Sequence, residues 1–154
     1  MLGIFAFANL VLIAVAPELV AVFAPAEYYE AIYVVPPISM SVFLNDMYLC
    51  FAAFEFYKEK RMWTTIGTFT STVLNITLNY VFIQMFGYIA AGYTTLICYL
   101  INALMHYYFM RKVCRTYMDA VKPYDAKVLI GISAVFMGIG FLYIPAYSHI
   151  FFRY

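Results

Sequence analysis

Five apolar runs, each long enough to cross a bilayer, make up most of this chain, and nearly all of its charges lie between them. A helix rises about 1.5 Å per residue, so about 20 apolar residues traverse a hydrocarbon core of ~30 Å. The runs cover residues 2–25, 31–54, 63–86, 88–110 and 128–152. None shows strand alternation, and in lipid a spanning backbone must bond within itself, so each is expected to be a helix. The expected fold class is therefore all-α: a polytopic membrane protein of about five transmembrane helices, with residues 1–154 forming a single transmembrane region. Of 154 residues, 66% are hydrophobic and 11% charged; soluble domains average about 45–50% and about 25%. A net charge of +1 offers no basic field for nucleic acid, so the partner implied is the lipid bilayer.

The three cysteines, Cys50, Cys98 and Cys114, are scattered and form no CxxC. Neither a disulfide nor a zinc site is expected from them, and no metal or cofactor follows from any other spacing. The first run has no positive leader region and continues into Pro17-Glu18, so it is expected to be a span rather than a signal peptide.

Loop charge sets the expected orientation. Lys58, Lys60 and Arg61 separate the second and third runs; Arg111, Lys112, Arg115, Lys122 and Lys127 separate the fourth and fifth. Eight of the nine Lys/Arg thus fall on one side, which should be the cytoplasm. The basic loops 55–62 and 111–127 are expected there, with Gly87 making a tight turn on the far side. Tyr28, Tyr29 and Tyr33 suit one interfacial belt, and Tyr57, Trp63, Tyr107 and Tyr108 the other. The abrupt ends look like those of a piece of a longer transporter.

Asp46 is the most costly residue, lying mid-run beside Asn45. A carboxylate at that depth either faces a bundle interior or watery path, as a cation, proton or substrate contact, or ties helices together by hydrogen bonds. Thr68, Thr72, Asn75 and Asn79 recur at helical spacing on the third run, and Thr95, Cys98, Asn102 and His106 on the fourth. Two facing polar stripes would line a hydrophilic cavity; interhelical hydrogen bonding is the plainer reading of each residue. The substrate-path candidates are Asn45, Asp46, Thr72, Asn75, Asn79 and Asn102. His106 is expected to be interfacial, having no partner at metal-ligand spacing. Pro36-Pro37 should bend the start of the second run. No Ser-His-Asp set, P-loop or GxGxxG is present.

Several stretches resemble a known family. Ala16-Pro17-Glu18-Leu19, Tyr28-Tyr29-Glu30-Ala31-Ile32-Tyr33-Val34-Val35-Pro36-Pro37 and Phe56-Tyr57-Lys58 are similar to the second lobe of Wzx-like polysaccharide flippases, members of the multidrug/oligosaccharidyl-lipid/polysaccharide exporter superfamily. The likeness is greatest at Leu74-Asn75-Ile76-Thr77-Leu78-Asn79-Tyr80 and Phe86-Gly87-Tyr88-Ile89-Ala90-Ala91-Gly92-Tyr93-Thr94-Thr95. It implies that the five spans form part of the second lobe of a two-lobed exporter in the bacterial plasma membrane. The implied activity is translocation of a polyprenyl-linked oligosaccharide for polysaccharide biosynthesis, by alternating access about a central cavity. Polysaccharide-synthesis enzymes would be neighbours in that process. No bond is made or broken, so no enzymatic activity is expected. Family lumens use cations for the diphosphate, and none of the nine Lys/Arg lies mid-run. The alternative within the superfamily is a fragment of a cation-coupled multidrug exporter with Asp46 as coupling site. A membrane-embedded polysaccharide polymerase would need a large outer loop, and the outer connectors are short.

Overall fold

A proline inside a helix has no N–H to offer, so the carbonyl four residues earlier loses its partner. The computed structural model, which describes residues 2–57, 61–118 and 122–151, shows how the first helix resolves this. Helix α1 (Leu2–Phe23) runs straight through Pro17. The carbonyl freed by that proline is Ile13's, and the hydroxyl of Tyr147 donates to it. Tyr147 comes from the last helix of the chain (Ala126–Phe151). Ile13, Ala16, Ile32 and Tyr147 form one small buried cluster around this bond.

A 3-10 segment, Ala26–Val34, follows α1, and α2 (Val35–Tyr57) begins beside Pro36-Pro37. The first turn of a helix has backbone N–H groups with no intrahelical acceptor, so prolines fit there at little cost. The expected second run, 31–54, thus divides between the 3-10 segment and α2, and the proline pair starts the α-helix instead of bending it. Helix α3 (Arg61–Phe86) is close to expectation. Gly87 then takes a φ of +76°, a left-handed conformation that glycine adopts without a Cβ clash. Its N–H bonds the Ile83 carbonyl at 2.9 Å, and its carbonyl accepts from Ala90 at 3.1 Å.

Helix α4 (Ala90–Tyr117) outruns the expected 88–110 by two turns. It absorbs Arg111, Lys112 and Arg115, which were expected in a loop. The extension follows an apolar stripe at helical spacing, since Met110, Val113 and Cys114 are all buried. Helix α5 (Ala126–Phe151) closes the described chain, close to the expected 128–152. Lys58 and Lys60 of the first basic loop lie outside the described residues.

Helices α2 and α4 pack along each other at the centre. Their core is built from Met40, Phe43, Leu44, Met47 and Phe51 of α2 against Leu96, Ala103 and Met110 of α4, with Phe136 of α5 closing it. Helix α3 lies on α4 and touches α2, whereas α1 and α5 pair with each other and with α2. Among the described residues α3 meets neither α1 nor α5.

Four segments are long and apolar enough to cross a membrane: Leu2–Phe23, Glu27–Phe56, Met62–Phe86 and Ala126–Tyr147. Helix α4 is the exception, because Thr94, Thr95, Asn102 and His106 interrupt its apolar character. It is also sandwiched between α2 and α3, where Thr94, Asn102 and His106 find partners. Large apolar side chains face outward all round the bundle, among them Ile4, Val22 and Phe23 of α1, Phe69, Ile76 and Met85 of α3, and Ile130 and Leu142 of α5. Soluble monomers do not expose apolar surface on this scale. The chain is an all-α polytopic membrane protein.

Candidate functional site

The polar stripes of α3 and α4 face each other. Between them, with α2 as the third side, is a cavity of about 310 Å³. Asn45 and Tyr48 reach it from α2, Thr68, Thr72 and Asn75 from α3, and Thr95 and Asn102 from α4. Four of the six sequence candidates, Asn45, Thr72, Asn75 and Asn102, therefore share one wall-lined space. Among the described residues, no charged side chain lines it.

The two remaining candidates lie elsewhere. Asn79 is off the cavity and ties α3 to α4, donating to the Asn75 side-chain oxygen at 2.9 Å and accepting from the Thr94 hydroxyl. Asp46 is partly exposed on the face of α2 that also carries Val42 and Leu49, both outward-facing. Residues four and three apart share a helix face, and Asp46, unlike Asn45 at the edge of that face, does not line the cavity. Among the described residues Asp46 has neither a hydrogen-bond partner nor an ion-pair partner.

Some lining groups spend their hydrogen bonds on structure, and others keep them for the cavity. Ser71 donates to the Asn102 side-chain oxygen at 2.9 Å, and Thr72 donates back to the Thr68 carbonyl at 2.9 Å. The amide of Asn45 and the hydroxyls of Tyr48, Thr68 and Thr95 bond no described residue, so they are groups left to face a ligand.

Below the cavity, toward the end of the bundle that carries Lys112 and Arg115, is a pair that sequence reasoning missed. Glu55 does not belong to a charged loop, and His106 is not interfacial: both side chains are fully buried. His106 Nδ1 lies 2.8 Å from Glu55 Oε1, and the Thr64 hydroxyl donates to Glu55 Oε2 at 2.8 Å. Tyr48 stands edge-on to the imidazole with ring centroids 4.5 Å apart, and Phe109 does the same at 5.8 Å. The other imidazole nitrogen, Nε2, is buried with no hydrogen-bond partner among the described residues. It presses on α3 at Gly67, where an added Cβ would collide with it. Glycine is required there because any side chain would occupy the place of the ring.

The sequence disguised this pair in two ways. Glu55 is next to a run of basic residues and looks solvated; His106 is separated from it by 51 positions. One signal was present: Tyr48 and Glu55 lie two turns apart on α2, as Asn102 and His106 lie one turn apart on α4, so each follows the cavity-facing stripe of its own helix. At the same end, Lys112 is drawn over the Trp63 ring, 4.3 Å from its centroid. No protein-family model, curated protein or solved structure matches this chain.

Proposed function

We propose that the chain is part of a membrane transporter, a flippase that translocates lipid-linked oligosaccharide for polysaccharide biosynthesis across the bacterial plasma membrane. The observation that carries this reading is the uncharged amide-and-hydroxyl cavity between α2, α3 and α4. Sugar hydroxyls both donate and accept, as Asn, Ser, Thr and Tyr side chains do, so such a wall replaces the hydration of a glycan that crosses hydrocarbon. Stripping those hydrogen bonds without replacement would cost several kcal/mol per group. A free polar wall at bilayer depth also has little other use in a protein whose remaining outward surface is apolar. In this reading the cavity takes the sugars, the polyprenyl tail stays in lipid, and the diphosphate is handled by cations that this wall does not supply. The side bearing Arg111 and Lys112 is cytoplasmic, and no covalent chemistry is performed.

The test is translocation of a fluorescent polyprenyl-diphosphate oligosaccharide across vesicles carrying the full chain, read by quenching from outside. Asn45→Leu and Asn102→Leu should each reduce the rate at least tenfold, while Ile76→Leu, on the same wall, should not. Equal rates in vesicles without protein would overturn the proposal. A second reading, a cation-coupled multidrug exporter of the same superfamily, is favoured by one observation: among the described residues Asp46 is unpaired at bilayer depth and off the cavity. Asp46→Asn would abolish ion-driven drug efflux in that case and leave glycan movement unaffected.

A further inference from the structure

We propose that the cleft between α4 and α5 holds one acyl chain of a phospholipid, taken from the leaflet on the Arg111 side of the bundle. The proposal is independent of which substrate the polar cavity carries.

The cleft exists because α4 and α5 both pack along α2 but, among the described residues, not along each other. It encloses about 350 Å³. Leu44, Met47 and Phe51 of α2 and Ala103 of α4 form its floor, and all four are buried. Leu100 and Leu104 of α4 and Ile130 of α5 form its rim, and all three are exposed. A buried floor under an exposed apolar rim is a groove that opens sideways, toward lipid.

The lining suits hydrocarbon and little else. Among the described residues its hydroxyl-bearing side chains are Ser133 and Tyr107. The Ser133 hydroxyl is spent, donating to the Leu129 carbonyl at 2.8 Å and lying 3.3 Å from the Met47 sulfur. Tyr107 stands at the end nearest Arg111, with its ring edge-on to Phe51. A sugar or a peptide backbone placed along this floor would give up its hydrogen bonds to water and regain almost none.

Dimensions narrow the occupant further. On α5 the lining runs from Ala126 to Met137, which at about 1.5 Å per residue is about 16 Å. That is about half of a ~30 Å hydrocarbon core, the depth of one leaflet. Spread over this length, 350 Å³ leaves a cross-section of about 20 Å². A methylene chain, about 4 Å thick by van der Waals contact, fits such a slot. A helix from a second copy, about 10 Å across, does not.

The charge at one end selects the headgroup. Leu100, Leu104, Tyr107 and Arg111 recur at spacings of four, three and four, so the rim of the groove leads along one stripe of α4 to a guanidinium. Arg111 is half-buried and has no ion-pair partner among the described residues. Guanidinium matches phosphate in shape and charge. Asp125, at the start of α5, accepts the Lys127 backbone N–H at 2.9 Å and so serves the helix end. A phospholipid whose phosphate rests on Arg111 delivers its chain into the groove. The polar cavity lies on a different face of α4, the one bearing Thr95 and Asn102. A headgroup held there has α2 and α4 between itself and this groove, so the occupant is a lipid of its own.

The test uses the full chain in vesicles of phosphatidylglycerol, a fraction of which carries a diazirine midway along one acyl chain. After irradiation, mass mapping should find Leu104 and Ile130 labelled about tenfold more than Phe69 and Val73, the equally lipid-exposed positions of α3, a ratio equivalent to about 1.4 kcal/mol of preference. Ala134→Trp fills the groove from its rim and should remove the excess. Leu142→Trp, an equal change on the α5 surface outside the groove, should leave it intact. A diazirine diacylglycerol, with the same chains and no phosphate, should label the groove no more than α3. Uniform labelling of groove and α3 by the phospholipid overturns the proposal, whether a second copy fills the groove or lipid passes through it freely. So does an excess that survives Ala134→Trp, or one that diacylglycerol reproduces.

Discussion

The two sides of α2 solve the problem of polar groups in lipid in opposite ways. Toward α1 and α5 the contact is largely apolar, crossed by the Ser133 hydroxyl on the Met47 sulfur, and the backbone carbonyl exposed by Pro17 is matched by a hydroxyl from Tyr147. Toward α3 and α4 polar groups are plentiful, and they are only partly matched. Ser71 meets Asn102 and Asn79 meets Thr94, but among the described residues Asn45, Tyr48 and the Nε2 of His106 are left over. A bundle that needed only to hold together would resemble the first side throughout. The surplus on the second side marks where this protein meets something other than itself.

The largest effect should come from unbalancing the buried pair. His106→Ala leaves the Glu55 carboxylate buried with Thr64 alone, at a cost of about 3–5 kcal/mol. It should appear as a large drop in the midpoint of thermal unfolding in detergent. Replacing both together, Glu55→Leu with His106→Leu, should restore most of that stability. If the double variant is as unstable as the single one, the difference between the two sides is one of packing rather than charge.

Tyr147→Phe tests the apolar side. It keeps the ring and removes the donor, leaving the Ile13 carbonyl unsatisfied at about 1–3 kcal/mol. The same change made on top of Pro17→Ala should cost much less, because alanine brings the backbone N–H that proline lacks. Equal costs in the two backgrounds would show that the hydroxyl does not serve the proline.

Gly67→Ala should be of similar or smaller size, about 1–3 kcal/mol from overpacking against the imidazole. His106→Asn should relieve it by shortening the side chain. The smallest effect is expected from Asn79→Ala, about 0.6 kcal/mol, the average for hydrogen bonds between membrane helices. A much larger loss there would mean that α3 is held more rigidly than its exposure suggests.

The helices themselves were legible because their signal is local: length and hydropathy for the spans, and a lone glycine for the turn at Gly87. The cavity was legible for a related reason. Thr68, Thr72 and Asn75 declare a face by spacing alone, and that face had to point at another polar one. What failed was inference across distance. Glu55 follows an apolar run and precedes basic residues, so its neighbours in sequence argued for water, while its neighbours in space come from α3 and α4. Asp46 misled in the opposite sense: its depth was plain, but its facing depended on the roll of α2, which Met47 and Phe51 set by packing into the core. The end of α4 is hidden in the sequence because Arg111, Lys112 and Arg115 have the charge of a loop, although Met110, Val113 and Cys114 continue the buried stripe between them.

The fastenings of α3 have a consequence of their own. Thr64, Ser71 and Asn79 each reach a neighbouring helix and are spaced by about two turns along one side. A screw displacement of α3 by one residue turns it about 100° and carries all three away from their partners at once. No intermediate register preserves even a part of the set, and hydrocarbon offers the stranded hydroxyls and amide nothing in exchange. The helix is thus keyed: it sits home or it is out, and graded creep along its neighbours is excluded by three small side chains.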